Sequence, residues 1–407
     1  MDLNQAAYLY LSQCQGFNLG TGVPSCEMSM QAMQPLIVLA TQSDMPADGR
    51  FDHLDQVVRY VAEVAPQSAM LFNQLIVDNP WQREFAKALE IALAVMSERS
   101  PETWQHILHH TALTMLYYER QTCLADSSNA VNAQELLTLF VGAMGHDIGK
   151  IGIDPTLLHK STRVDPQRFA IALENYRRLV PNYPEKLHDT RFLKEPNLGR
   201  IIFAKPGGSM TSPVTGGLIE DISEDLRRSE EYWVQDEERQ RHNAIWQRIN
   251  AYAQSYIVPR QDDGWLNIAE QQALTVAQRG TVTPEEMRVI ESHDALSEAF
   301  FALAPVPSAL REVQEIVSME RFRQDRITPQ EDCLLADIIH TTDVFEALTA
   351  DRSYRKPYTV EEALKVIDGM ARDGKVNDAI LASLKNNGTI EVYAQAAGLQ
   401  HSLDGRC

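Results

Sequence analysis

Residues 145–153 read GHDIGKIGI, and they close an apolar stretch at 131–145 that has the pattern of a buried helix. Neighbouring residues on a helix point about 100° apart, so His146 and Asp147 can face one cation only at a helix end or kink. Gly145 and Gly149 supply local backbone freedom for such a break. Imidazole and carboxylate together suit Fe, Mn, Zn or Ni better than Ca or Mg. Lys150, one turn after His146, is placed to meet a phosphate oxygen. On these residues alone a second reading stays open: a helix C-terminus with a satisfied histidine and a glycine stop.

Working outward, the stretch from Thr103 to Tyr118 reads as a helix with three histidines, His106, His109 and His110. Ser100 as N-cap, Pro101 as first residue and Glu102 in the first turn mark its start. Further back, FDHLDQVVRYVAEVA spaces Leu54, Val57, Val58, Val61 and Val64 by three and four, and REFAKALEIALAVM repeats the pattern. No catalytic constellation appears in residues 1–100, which read as a helical accessory or dimerising domain. Downstream, about 175–265 is polar, with a Gly/Ser/Thr-rich loop and a charged run that reads as a solvated helix face. Helical character with a strong core returns from about 266 to 395. The expected fold class is all-α.

Composition narrows the partners. At 44% hydrophobic and 23% charged residues, wholesale disorder is not expected. A net charge of -19 argues against a nucleic-acid partner, because phosphate backbones are gripped by clustered Lys and Arg. It leaves room for a small anionic substrate, since a bound divalent cation reverses the local field. The five scattered cysteines lack zinc spacing and read as reduced thiols of a cytoplasmic protein. The N-terminus lacks a signal peptide's pattern, and no uninterrupted run of about 18 apolar residues predicts a membrane span.

With these residues in place, the 145–153 segment resembles the HD superfamily of metal-dependent phosphohydrolases, and within it the HD-GYP branch of cyclic di-GMP phosphodiesterases. KIGIDPTLLHK resembles the continuation of that family's motif. RGTVTPEEMRVIESH resembles the helix presenting a further metal histidine, here His293. TTDVFEALTADRSYRKPYTVEEAL resembles the family's Asp-containing helix and the turn after it. The resemblance implies an HD-type helical bundle over 101–395, with 161–278 as an insertion. It implies His146, Asp147, His293 and Asp343 as metal ligands, and Arg352, Tyr354 and Arg355 as structural or substrate-side groups.

The family also requires a histidine on the preceding helix, with apolar residues four and seven positions beyond it. From His109 these are Leu113 and Leu116, whereas from His110 they are Thr114 and Tyr117, so His109 is favoured. His106 and His110, at i and i+4, also suit two ligands on one face. The site so implied holds one or two divalent transition-metal ions, Fe or Mn favoured. The first sits among His109, His146, Asp147 and Asp343; the second is bridged by Asp147 and held by His293. Asp147 and Lys150 are the expected catalytic groups, with Lys150 neutralising charge on a nucleotide phosphate. Metal-activated water would then hydrolyse a cyclic dinucleotide.

Two departures qualify this. Ser318 and Met319 stand where the family has a His pair, only Glu320 keeps its type, and no Gly-Tyr-Pro follows. Hydroxyl and thioether are poor substitutes for imidazole, so a trinuclear site is not expected. His146 and His293 are also 147 positions apart, where the family has about thirty residues; Asn175 occupies the usual distance and is the alternative to His293. A catalytically inactive nucleotide- or protein-binding signalling module is therefore the competing reading. Homo-oligomerisation and a signalling partner stay open.

Overall fold

A computed structural model of the protein describes residues 1–13, 26–44, 51–124, 132–160, 281–282, 284–310, 334–352 and 357–399, with scattered positions in 162–171 and 312–317. The regular elements among them are all helical. In chain order they are α1 (Leu3–Gln13), α2 (Cys26–Gln42), α3 (Asp52–Ala62), α4 (Pro66–Phe72), α5 (Arg83–Arg99), α6 (Pro101–Leu124), α7 (Ala133–Gly145) and α8 (Pro155–Leu158). After the insertion come α9 (Pro284–Glu291), α10 (His293–Leu303), α11 (Leu334–Thr349), α12 (Val360–Arg372), α13 (Asp378–Asn386) and α14 (Thr389–Ala396). Short 3-10 turns include Ile148–Gly152. No helix among the described residues is long and apolar enough to cross a membrane. The fold is the all-helical HD-type bundle expected, with helices N-terminal to it and a long insertion.

The chain divides into two units, Met1–Leu158 with Arg288–Cys407, and His159–Met287. In the second, Lys160 donates to the Glu286 carboxylate at 2.7 Å. The expected insertion and Asn175 lie almost wholly outside the described residues, as do Ser318, Met319, Glu320, Tyr354 and Arg355.

The first unit is organised around α5, whose residues from Phe85 to Met96 are all buried. It packs against α1, α2, α3 and α6. The first hundred residues, expected as an accessory domain, thus share one hydrophobic core running from Leu3 to Ala394. Each large apolar side chain removed from water there contributes roughly 1.5–3 kcal/mol. Being buried on all sides, α5 also buries Lys87 and Glu90, and both are paired. Lys87 donates to the Ser43 carbonyl at 2.8 Å. Glu90 accepts from the backbone N–H groups of His53 and Leu54 at 3.0–3.1 Å, capping α3, whose own N-cap residue, Phe51, has no capping oxygen.

The α6 start follows its sequence signals: the Thr103 N–H donates to Ser100 Oγ at 3.3 Å. From there α6 runs between α3, α5, α7 and α11. This arrangement carries the histidines of α6 to the C-terminal end of α7 and the middle of α11, where the site lies.

Candidate metal centre

His146 is the C-cap of α7, and Asp147 is the N-cap of the following 3-10 turn, with φ -95° and ψ 2°. The helix ends between them, as two adjacent residues facing one point require. Gly145 and Gly149 serve this break differently from the expectation. Among the described glycines the positive φ values belong to Gly374, Gly388 and Gly398, so backbone freedom is not what these two positions use. They permit close approach instead. A Cβ on Gly145 would lie 2.3 Å from the Phe301 ring, and one on Gly149 only 1.9 Å from the His293 carbonyl oxygen.

That contact is how a histidine 147 positions away reaches the HD pair. The turn lies against the start of α10, and Ser297 fastens the two. Its hydroxyl donates to the His146 carbonyl at 2.6 Å and accepts from the Gly149 N–H at 2.8 Å. His293 Nε2 consequently stands 3.2 Å from Asp147 Oδ1.

Helix α11 supplies Asp343 and, one turn later on the same face, Glu346. Helix α6 supplies His106. Its Nε2 lies 3.1 Å from Asp343 Oδ1, 3.4 Å from Asp147 Oδ2 and 3.4 Å from His146 Nε2. His146 Nε2 in turn lies 3.7 Å from Asp147 Oδ2 and 3.8 Å from Asp343 Oδ1. Donors about 2.1 Å from one ion are separated by about 3.0–3.4 Å in octahedral or tetrahedral coordination; the three His106 separations fall in that range, and the two from His146 to the carboxylates lie a few tenths of an ångström beyond it.

The tautomers suit it as well. His146 Nδ1 is 2.8 Å from the Ala143 carbonyl, which only accepts, so Nδ1 donates and Nε2 of the neutral ring carries the lone pair. His293 Nδ1 donates likewise to the Ile290 carbonyl at 2.6 Å. His106 Nδ1 is hydrogen-bonded to Glu346, the carboxylate–histidine arrangement that orients metal-binding imidazoles. In their neutral forms the three rings turn lone-pair nitrogens toward two carboxylates.

Electrostatics points the same way. Burial is the largest influence on Asp147 and raises its pKa, but Lys150, His146 and His293 outweigh it and hold the carboxyl well below its usual range. Asp343 is also held well below that range; burial opposes the shift, and the neighbouring His106 and His146 imidazoles overcome it. His106 lies above an ordinary imidazole, because Glu346 and Asp343 together outweigh the downward pull of burial. Buried ionised carboxylates demand positive charge nearby, and a divalent ion supplies it compactly.

Among the described residues, His106, His110, His146 and Asp343 bring potential ligand atoms within 4.8 Å of one another, a cluster able to coordinate a divalent metal. His110 is fully buried, and both its nitrogens meet protein atoms: Nδ1 lies 3.2 Å from the Ala143 carbonyl, and Nε2 lies 3.1 Å from the Ile339 carbonyl and from Thr342 Oγ1. Its ring stacks on His106 at 5.5 Å and packs edgewise on His146 at 4.7 Å, a place that supports the site from the core.

The favoured His109 lies elsewhere. Its nitrogens are 3.2–3.4 Å from the hydroxyls of Tyr60 and Tyr393, outside the cluster. Three residues from His106, it faces α3 and α14 instead of α7 and α11. Lys150 donates to Asp147 Oδ2 at 2.6 Å. Arg352 Nη2 donates to Glu346 at 3.4 Å and lines a cavity of about 510 Å³ with His106, His109, Glu346 and Tyr393. Glu346 and Ser297 were not anticipated. Glu346 had a signal, its place one turn beyond Asp343, whereas Ser297 had none.

Residues 262–380 match the protein family described as HD domain, an interval that contains His293 and Asp343. With the helical bundle and the His/Asp cluster, this match supports an HD-domain relationship to the metal-dependent phosphohydrolases. No curated protein matches the chain, and no solved structure matches it.

Proposed function

We propose that the protein is a metal-dependent phosphodiesterase acting on a nucleotide, with a cyclic dinucleotide, cyclic di-GMP first, as substrate. The observation that carries this reading is the convergence of His106 Nε2 and His146 Nε2 on the Asp147 and Asp343 carboxylates, with each far nitrogen held by a protein acceptor. In this assignment His106, His146, Asp147 and Asp343 hold a divalent transition-metal ion, Fe or Mn favoured. His106 takes the role expected of His109.

A bound ion there supplies Lewis acidity toward a phosphoryl oxygen and acidifies a water molecule. Glu346 fixes the His106 ring and raises its basicity through Nδ1. Lys150 places a positive charge beside Asp147, where a phosphodiester carries its negative charge. Arg352 reaches Glu346 from the cavity side, as a substrate-side or supporting cation.

A second reading rests on Ser318 and Met319, which replace the imidazoles of the resembled branch. On it, the protein binds metal and nucleotide as a signalling receptor without turnover.

Both readings are separated by incubating protein purified without chelator under low oxygen with cyclic di-GMP and Mn²⁺ or Fe²⁺. Turnover that His146→Ala/Asp147→Ala lacks establishes the phosphodiesterase. Metal and nucleotide bound without turnover establish the receptor. A purified protein that takes up neither overturns both.

A further inference from the structure

The cavity of about 510 Å³ lies in the groove between the first turns of α6 and the C-terminal end of α11. Its wall joins the metal centre through His106 and Glu346. Glu102 lines it from the same face of α6 as His106, and Asp351 and Arg352 line it just beyond the end of α11. Apart from imidazoles, the charged groups of the wall are three carboxylates, Glu102, Glu346 and Asp351, against one guanidinium, Arg352. That balance repels a phosphate, so the cavity itself suits a part of a ligand that carries no negative charge.

What the wall offers is an acceptor and a donor side by side. Arg352 Nη2 reaches Glu346 at 3.4 Å, and Nη1 stands 3.8 Å from Glu102 Oε1, near enough for ionic attraction but too long for a hydrogen bond. A planar base whose donors lie next to its acceptors satisfies both groups at once. Guanine has N1–H and N2–H beside O6 and N7, and the last two are what an arginine reads in bidentate fashion. Adenine turns a ring lone pair toward the carboxylate instead of N1–H, and a pyrimidine has no N7. Tyr358, 38% exposed, adds an aromatic ring to the same wall, a surface on which a base stacks.

We infer that this cavity is a guanine-binding site, in which Glu102 accepts from N1–H and N2–H, Arg352 donates to O6 and N7, and Tyr358 stacks on the base. The inference deepens the nucleotide reading above and rests on it for the link to the metal centre. Glu102 precedes His106 by four residues, about 6 Å along α6. A base held at Glu102 therefore leaves its phosphate, one sugar away, beside the metal ligands. Glu102 becomes the residue that selects which nucleotide is taken.

The test uses nucleosides, which carry no phosphate, on full-length protein stripped of metal, so that base recognition is scored apart from metal chemistry. Guanosine, adenosine and uridine are titrated by calorimetry into wild type, Glu102→Gln and Tyr358→Ala, with circular dichroism and melting to verify that each variant folds. Wild type is expected to prefer guanosine by roughly 10–100-fold. Glu102→Gln is expected to bring the three nucleosides to within a few-fold of one another, and Tyr358→Ala to weaken all of them by about tenfold.

No binding of any nucleoside overturns the site. Equal binding of all three by wild type overturns the guanine assignment, and an unchanged preference in Glu102→Gln overturns the role of Glu102. Cyclic di-GMP turnover by the metal-loaded wild type is measured alongside. Guanosine that fails to bind while turnover persists overturns this site and spares the phosphodiesterase. Selective guanosine binding without turnover upholds the site and removes only that activity.

Discussion

His106 and His109 stand three residues apart on α6, and their rings meet opposite chemistry. The His106 side is ionic: Asp147, Asp343 and Glu346 surround a ring held above its ordinary pKa. The His109 side is aromatic and neutral, between Tyr60 at a ring separation of 5.0 Å and Tyr393 at 6.4 Å. Burial pulls His109 below its usual pKa and pushes the Tyr60 phenol up to about 12, so hydroxyls there stay protonated and the imidazole stays neutral. Burial acts on both histidines. What separates them is whether carboxylates lie close enough to outweigh it, and such a place on a buried helix face is where a cation belongs.

The sharpest way to break this comparison is to remove each ring in turn. His106→Ala is expected to lose the first metal ion and, with it, at least about a thousandfold in any phosphodiesterase turnover, since an open metal position cannot be replaced by packing. His109→Ala is expected to keep full metal content and turnover within a few-fold. Metal analysis and initial rates on the two purified variants decide it, and the reverse ranking would restore His109 as the ligand.

A smaller effect tests why the His106 side is different. Glu346→Gln keeps the shape but removes the charge behind His106. Outer partners of this kind change metal affinity by about 10–100-fold, and a loss in that range is expected in Mn²⁺ titrations. Unchanged affinity would mean that the Glu346 contact only packs the helices.

The smallest effect sharpens the neutral side. The His109 pKa is depressed in the folded protein, so as pH falls through about 6.5 the unfolded chain takes up the proton first. Stability contributed by the neutral ring is complete above that pH and is lost progressively below it, down to the folded pKa. Thermal melts of the metal-free protein between pH 7 and 5 should fall more steeply for wild type than for His109→Gln, by on the order of 1–2 °C. Parallel slopes would show that His109 is not held neutral by its surroundings.

Much of this centre was legible in the residues. His146 and Asp147 close an apolar helix, and the structure places His146, Asp147 and Asp343 around His106, with His293 on the far oxygen of Asp147. The choice among three histidines went differently for a definable reason. The pattern sought apolar residues four and seven positions beyond the ligand. From His106 those positions hold His110 and Leu113, and a histidine does not read as apolar. Yet His110 is fully buried and has the core position, because the Ala143 and Ile339 carbonyls and Thr342 satisfy its polar atoms.

The sequence by itself determined the all-helical class, the place where the motif helix stops and the kinds of donor available, because helical periodicity and helix-end chemistry are local properties. Only the tertiary structure decided which face of α6 meets α7 and α11, that Gly149 yields space to α10, and that Glu346 stands behind a histidine on another helix. Those relations depend on how separate helices pack, and the bare spacing of residues along one chain does not encode the distance between atoms on two.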